Sequence, residues 1–169
     1  MEFIELARKR YSERSFSSAP LEEDKLYQIL EAGRIAPTAC NNQPQRFYVL
    51  RSEEALRKAA ELTWIYNAPV VVLVCYVNSE AWHNPRDGFC SGDMDASIAA
   101  SSMMFAAEDL GVHSIWLRGF DADRVQEAYS LPDGTVPSLM LALGYPAENS
   151  APHKLHSQRE PMEEFVVEL

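Results

Sequence analysis

Residues 69–77 read PVVVLVCYV. A strand with one face in water alternates apolar and polar side chains, whereas a run that is apolar throughout suits a central strand covered on both faces. Helices are therefore expected on each side of the sheet, which sets a layered α-β-α order around this strand. Three further strand candidates stand near it in the chain: RFYVL near residues 46–51, VHSIWL near 112–117 and VPSLMLALG near 136–144.

The helical segments lie between these strands. EFIELARKR reads as a short first helix. SAPLEEDKLYQILEAGRIAP reads as a second, with Pro20 and the acids Glu22 to Asp24 in its first turn. Leu26, Ile29, Leu30 and Gly33 mark its buried face, and Pro37 ends it, because the residue before a proline is pushed out of the helical region. SEEALRKAAEL precedes the apolar strand, and DMDASIAASSMMFAAEDLG follows the polar loop WHNPRDGFCSG. From Met94 to Leu110 this last helix is apolar or small on almost every side, so burial all round is expected, against the sheet and against another subunit. Asp95, Ser97, Ser101 and Ser102 interrupt a stretch already too short to cross a bilayer. DADRVQEAYS gives a final amphipathic helix with Asp121 as its N-cap, and EEFVVEL reads as a closing strand.

The chain has 169 residues, 47% of them apolar, and no internal repeat or low-complexity linker. One globular domain spanning 1–169 is the expectation. Its start has early charges and no apolar stretch of signal-peptide length, which places it in the cytoplasm. Cys40, Cys75 and Cys90 are odd in number and not in a CxxC arrangement, so reduced thiols are expected. A formal charge of -10 disfavours nucleic acid and anionic membranes as partners. Yet four of the 15 Lys and Arg residues, Arg8, Lys9, Arg10 and Arg14, fall in the first 14 positions. A local cationic group on an acidic protein suits a small anion, and it equally suits a solvated helix end.

No GxxxxGK[ST], GxGxxG or GxSxG motif is present, and the seven glycines are scattered singly. A bound phosphate must then be held by side chains. RYSERSF, residues 10–16, places two arginines four apart with a hydroxyl between them. Ala36 to Phe47, APTACNNQPQRF, hangs from a helix end with two prolines, several small residues and four side-chain amides, more than a plain connector needs. HKLH puts His153 and His156 on one helical face, but two imidazoles make no metal site without a third ligand. Cys40 would need a histidine partner to act as a nucleophile, and Trp64, Trp82 and Trp116 read as core or interface residues.

Taken in order, RYSERSF, APTACNNQPQRFYVL, NAPVVVLVC, MDASIAASSMMFAAEDLGVHSIWLRGFD and LMLALGYPAE resemble the nitroreductase-like FMN-dependent oxidoreductases, in particular their compact members. The resemblance covers nearly the whole chain. It implies an α+β sandwich with a mainly antiparallel sheet, paired into an interlocked homodimer with two FMN sites. It implies that Arg10 and Ser12, with Tyr11 beside them, meet the phosphate and ribityl end, and that Arg14 reaches the pyrimidine edge of the ring. Arg159 is the second phosphate partner by resemblance, with Lys154 as reserve. Pro37, Thr38 and Ala39 would pack on the cofactor of the neighbouring subunit, while Asn41 and Gln43 fix the loop or contact the ligand. Leu117, Arg118 and Gly119 correspond to the segment whose backbone N–H approaches flavin N5.

The implied activity is hydride transfer from NAD(P)H through flavin N5 to a nitroaromatic, quinone or similar small acceptor, in a ping-pong cycle with no catalytic side chain. A non-catalytic flavin carrier, or an FMN enzyme of another reaction such as reductive dehalogenation, would keep the same binding residues.

Overall fold

The apolar run forms strand β2 (Val70–Val77), and its side chains alternate between two cores. Val71, Leu73 and Cys75 face one side, with Ala59 and Val125, while Val70, Val72 and Val74 face the other, with Ile29, Ala100 and Met103. Full burial of each such side chain contributes roughly 1.5–3 kcal/mol, so this strand anchors both layers. A computed structural model describes residues 2–169.

β2 pairs antiparallel with β1 (Gln45–Leu50) and with β4 (Thr135–Gly144), and β4 pairs antiparallel with β3 (His113–Leu117). The strand order is β1-β2-β4-β3, so the two most apolar strands are central and β1 and β3 form the edges. Helices α2 (Glu23–Arg34) and α4 (Gly92–Asp109) cover one face; α3 (Glu53–Leu62) and α5 (Ala122–Tyr129) cover the other. The short α1 (Phe3–Lys9) packs on α4. This is the mixed α/β sandwich with an antiparallel sheet that the sequence implies.

Local chemistry explains most of the boundaries. Ser52 caps α3 by accepting from the amide of Ala55, and Asp121 caps α5 by accepting from Asp123 and Arg124, as expected for Asp121. The first residue of α4, Gly92, is glycine because a Cβ there would lie 2.1 Å from the Tyr76 ring. The β2–β4 ladder skips Ser138 in a bulge between Val74 and Cys75, and the freed Ser138 hydroxyl donates to Asp93 Oδ1 at 2.6 Å.

Three expectations are corrected. Helix α2 starts at Glu23, with Glu22 extended at its N-cap, so Pro20 and Leu21 lie before it: no side chain caps an earlier start. EEFVVEL forms no strand; a single 3-10 turn (Met162–Glu164) is followed by exposed Phe165, Val166 and Val167. HKLH is a turn, not a helix. Helix α4 is a different case: one chain covers its sheet side and leaves Met94 56% and Ile98 41% exposed, on the face for which burial against another subunit is expected. Trp64, read as a core or interface residue, is 80% exposed within one chain, which leaves the interface half of that reading. No helix among the described residues is long and apolar enough to cross a membrane.

Candidate functional site

The RYSERSF segment is laid along the edge of the sheet. Ser12 bridges Ser114 of β3, and the Glu13 amide donates to the Ser114 carbonyl at 3.0 Å. On its other side the chain leaving β4 closes on it: Ser17 N donates to Tyr145 O and Ala147 N to Ser15 O, both at 2.8 Å. The motif is thus clamped between β3 and the start of the C-terminal tail. Above it lies a cleft of about 510 Å³ lined by Arg10, Tyr11, Ser12, Arg14, His153, Leu155, His156 and Arg159.

The cleft is built for negative charge. Burial lowers the pKa of the half-buried Arg10 guanidinium; Glu108 opposes that shift and the like charge of Arg159 adds to it. Two guanidiniums that repel one another across a cleft are relieved by an anion between them. Arg159 meanwhile donates to the carbonyls of His156 and Gln158 at 2.7 and 2.6 Å, which holds the turn that presents it. Arg14 is exposed and donates to the Ser12 carbonyl at 3.2 Å. Burial also raises the Tyr11 phenol pKa, with nearby Ser150 opposing and Glu13 adding to the rise.

Of the cationic residues expected here, Arg10, Arg14 and Arg159 are brought together, while Lys154, the reserve, is exposed and does not line the cleft. His153, Leu155 and His156 are additional lining residues that the sequence reading missed as cleft residues; their one signal was the HKLH run just before Arg159.

The loop from Ala36 to Phe47 is placed elsewhere. A 3-10 turn (Ala39–Asn41) folds it, and Cys40, Asn41 and Gln43 all adopt left-handed backbone with φ of 51°, 56° and 53°. Such conformations cost about 1–3 kcal/mol each and persist only where surroundings enforce them. Asp95, 2% exposed in the first turn of α4, supplies much of that enforcement: its Oδ1 accepts from the Ala39 amide at 2.8 Å and its Oδ2 from the Ser91 hydroxyl at 2.7 Å. Thr38 Oγ1 accepts from Gln43 N at 3.1 Å, and the Gln43 amide donates to Asn41 O at 3.2 Å, so Gln43 braces the loop. Pro37 is exposed and Thr38 and Ala39 are half-buried.

At the end of β3, Leu117 is buried in the core facing α3 and α5, so only its backbone is open to a ligand. Arg118 is exposed, stacks over Phe120 at 4.9 Å and donates to its carbonyl at 3.2 Å. A Cβ on Gly119 would meet nothing within 4 Å, so packing within the chain does not demand glycine there.

The two halves lie at opposite ends of α4. Asp95 holds the Pro37–Gln43 loop, and Glu108, with Lys9 Nζ 3.2 Å from its Oε1, stands by the arginine cleft. Thirteen helical residues separate Asp95 from Glu108, roughly 20 Å at 1.5 Å per residue. Between them runs the open face of α4, where Ser97, Ile98, Ser101, Ser102 and Phe105 form a depression with Phe3. Among the described residues no cluster of three or more His, Cys, Asp or Glu side chains gathers as a metal site, and burial pushes the Cys75 thiol up to about 12.

This geometry can be set beside known proteins. The Nitroreductase family model matches residues 7–65 and 57–145. The chain belongs to the nitroreductase family. Its fold superposes on the crystal structure of a nitroreductase family protein from Clostridium difficile 630 with a TM-score of 0.93 and 39% identity, covering 99% of this chain and 98% of that one. A Desulfovibrio desulfuricans family relative solved in complex with FMN matches with a TM-score of 0.82 and 26% identity, over 100% and 97% of the two chains. A Bacillus subtilis FMN reductase [NAD(P)H] is 30% identical over 82% of this chain, which spans 63% of that longer protein.

Proposed function

We propose that this nitroreductase family member is an FMN-dependent NAD(P)H oxidoreductase acting on small electron acceptors of the nitroaromatic or quinone type. One observation carries the reading: Arg10 from the N-terminal motif and Arg159 from the tail converge on one cleft beside a serine hydroxyl, a donor set for a single phosphate. No dinucleotide fingerprint accompanies it, which favours FMN over FAD. Arg10, Ser12 and Arg159 would hold the phosphate, and Arg14 would stand beside the ring. The backbone at Leu117 to Gly119, with no side chain at Gly119, leaves room for close approach. When bound, FMN supplies the electron-transfer chemistry between nicotinamide donor and acceptor. The protein's part is to bind, orient and exclude water, and no side chain acts as acid or base.

The site is completed by a second copy of the chain. Because the Pro37–Gln43 loop and the arginine cleft stand roughly 20 Å apart along α4, one flavin would draw them from different subunits. The open face with Met94, Ile98 and Phe105 is the surface on which the copies would interlock. Three free cysteines suit a reducing cytoplasm.

Heat extraction of the bound flavin tests the cofactor: FMN is expected, and FAD would overturn the assignment. Anaerobic addition of NADH or NADPH should bleach the flavin bands, and failure of both donors would leave a flavin carrier rather than an oxidoreductase. Ile98→Glu puts a charge on the open face of α4 and should yield flavin-poor monomers on a sizing column. A flavin-loaded monomer would refute the shared site.

A further inference from the structure

Glu13 is itself assigned to no cofactor position, yet its side chain is 0% exposed in a segment whose neighbours Arg14 and Ser15 are open to solvent. Its two oxygens join three parts of the chain. Oε1 accepts from the Ser15 amide at 2.8 Å and from the Ser150 hydroxyl; Oε2 accepts from the Tyr11 hydroxyl at 3.1 Å and lies 3.6 Å from His113 Nδ1 at the start of β3. A carboxylate taken out of water must find such partners, and each partner it finds is thereby fixed.

Ser150 is the informative one, because it belongs to the tail. Other ties from the tail to the body include the Ala147 N to Ser15 O bond at 2.8 Å, the contact of His156 Nε2 with the Arg8 carbonyl at 3.1 Å and the edge contact of the His156 ring with Tyr11, centroids 6.0 Å apart. Residues 151–155 and 157–160 are exposed, so packing does little to hold them. This same stretch nonetheless supplies His153, His156 and Arg159 to the cleft.

We infer that Glu13 is a positioning residue that latches the tail through Ser150, and so carries Arg159 and His156 over the cleft and sets how fast a phosphate-bearing ligand leaves. The inference rests on the FMN reading for its ligand, but not for the latch itself. Glu13 acts on tail position and leaves the ring surroundings alone, so its loss should change release and not redox properties.

Two variants test it. In the FMN-loaded protein, Ser150→Ala and Glu13→Gln should each speed FMN release about tenfold, the size expected when one hydrogen bond to a charged group is lost. The double variant should release little faster than Ser150→Ala alone, because Ser150→Ala removes the contact that Glu13→Gln weakens by taking away its charge. The potential of the flavin that remains bound should match wild type. In the protein stripped of flavin, trypsin should cut after Lys154 and Arg159 faster in Ser150→Ala than in wild type. Ser150→Ala carries the test if Glu13→Gln fails to fold. Unchanged release together with unchanged cleavage overturns the latch, and so does faster release without faster cleavage, since the effect would then bypass the tail. Faster cleavage in a protein that binds no FMN would support the latch while defeating the cofactor reading.

Discussion

The two ends of helix α4 solve opposite problems. At the Asp95 end a loop with three left-handed non-glycine residues is locked by a buried carboxylate and by its own amides, and it is fully formed in one chain. At the Glu108 end, arginines converge on a cleft half of whose lining comes from a thinly anchored tail. Even the buried Glu108 carboxylate is left with an ion pair to Lys9 and no hydrogen bond among the described residues. The first end is fixed by contacts within one chain; the second brings like charges together on fewer such contacts. On the function proposed above, strain and satisfied hydrogen bonds mark the rigid wall of the site, and the converging like charges are the place for the phosphate.

The sharpest way to break this contrast is to remove each end's key side chain and ask what fails. Asp95→Ala strips a charged acceptor from the Ala39 amide and the Ser91 hydroxyl. Hydrogen bonds to charged groups contribute roughly 1.5–3 kcal/mol each, so a loss of about 3 kcal/mol in unfolding free energy is expected. Urea titration would show it as a lower midpoint at unchanged slope. A near-neutral result would mean that the loop holds its shape without α4.

Arg10→Ala should fail in the other way. Unfolding of the flavin-free protein should stay within about 0.5 kcal/mol of wild type, as for a substitution that breaks no packing. FMN affinity should fall about 10- to 150-fold, the equivalent of one hydrogen bond to a charged group. Isothermal titration reads the second quantity directly. If Arg10→Ala proves as unstable as Asp95→Ala, the cleft is part of the fold and the contrast between the two ends disappears.

How much of this could be seen in the sequence follows from where the partners lie. The core was legible because β2 is apolar at every position, and α5 because Asp121 caps a helix two and three residues away. That Arg10, Ser12, Arg14 and Arg159 share one cleft was legible from the arginine cluster on an acidic chain and from the family resemblance. Asp95 was not: its partner Ala39 lies 56 residues earlier, and in sequence it merely interrupts an apolar helix. Glu13 was hidden for the same reason, since a glutamate in RYSERSF reads as solvated until Ser150 is folded over it. For helix α4, apolar residues on every side look the same whether the outer face is covered by the same chain or by another copy, so the sequence does not single out Met94 and Ile98 as the positions one chain leaves open. The tail misled, because EEFVVEL has a strand-like composition but forms no strand.

The smallest effect separates two arginines of one motif. Arg10 is half-buried beside Glu108 and Arg159, whereas Arg14 is exposed and tied to the Ser12 carbonyl. A phosphate keeps its charge whatever the redox state, so Arg10→Ala should leave the potential of any flavin still bound unchanged. The ring gains negative charge on reduction, so a guanidinium at its edge favours the reduced form, and Arg14→Ala should lower the potential. A hydrogen bond to a charged group of about 1.5 kcal/mol corresponds to roughly 30 mV for a two-electron couple. Because Arg14 is exposed and screened by water, the expected shift is below that figure, on the order of 10–30 mV. Dye-coupled redox titration resolves such a shift when both variants are run against wild type. Equal potentials in Arg14→Ala and wild type would remove Arg14 from the ring edge, and a shift in Arg10→Ala instead would move the charged end of the cleft from the phosphate to the ring.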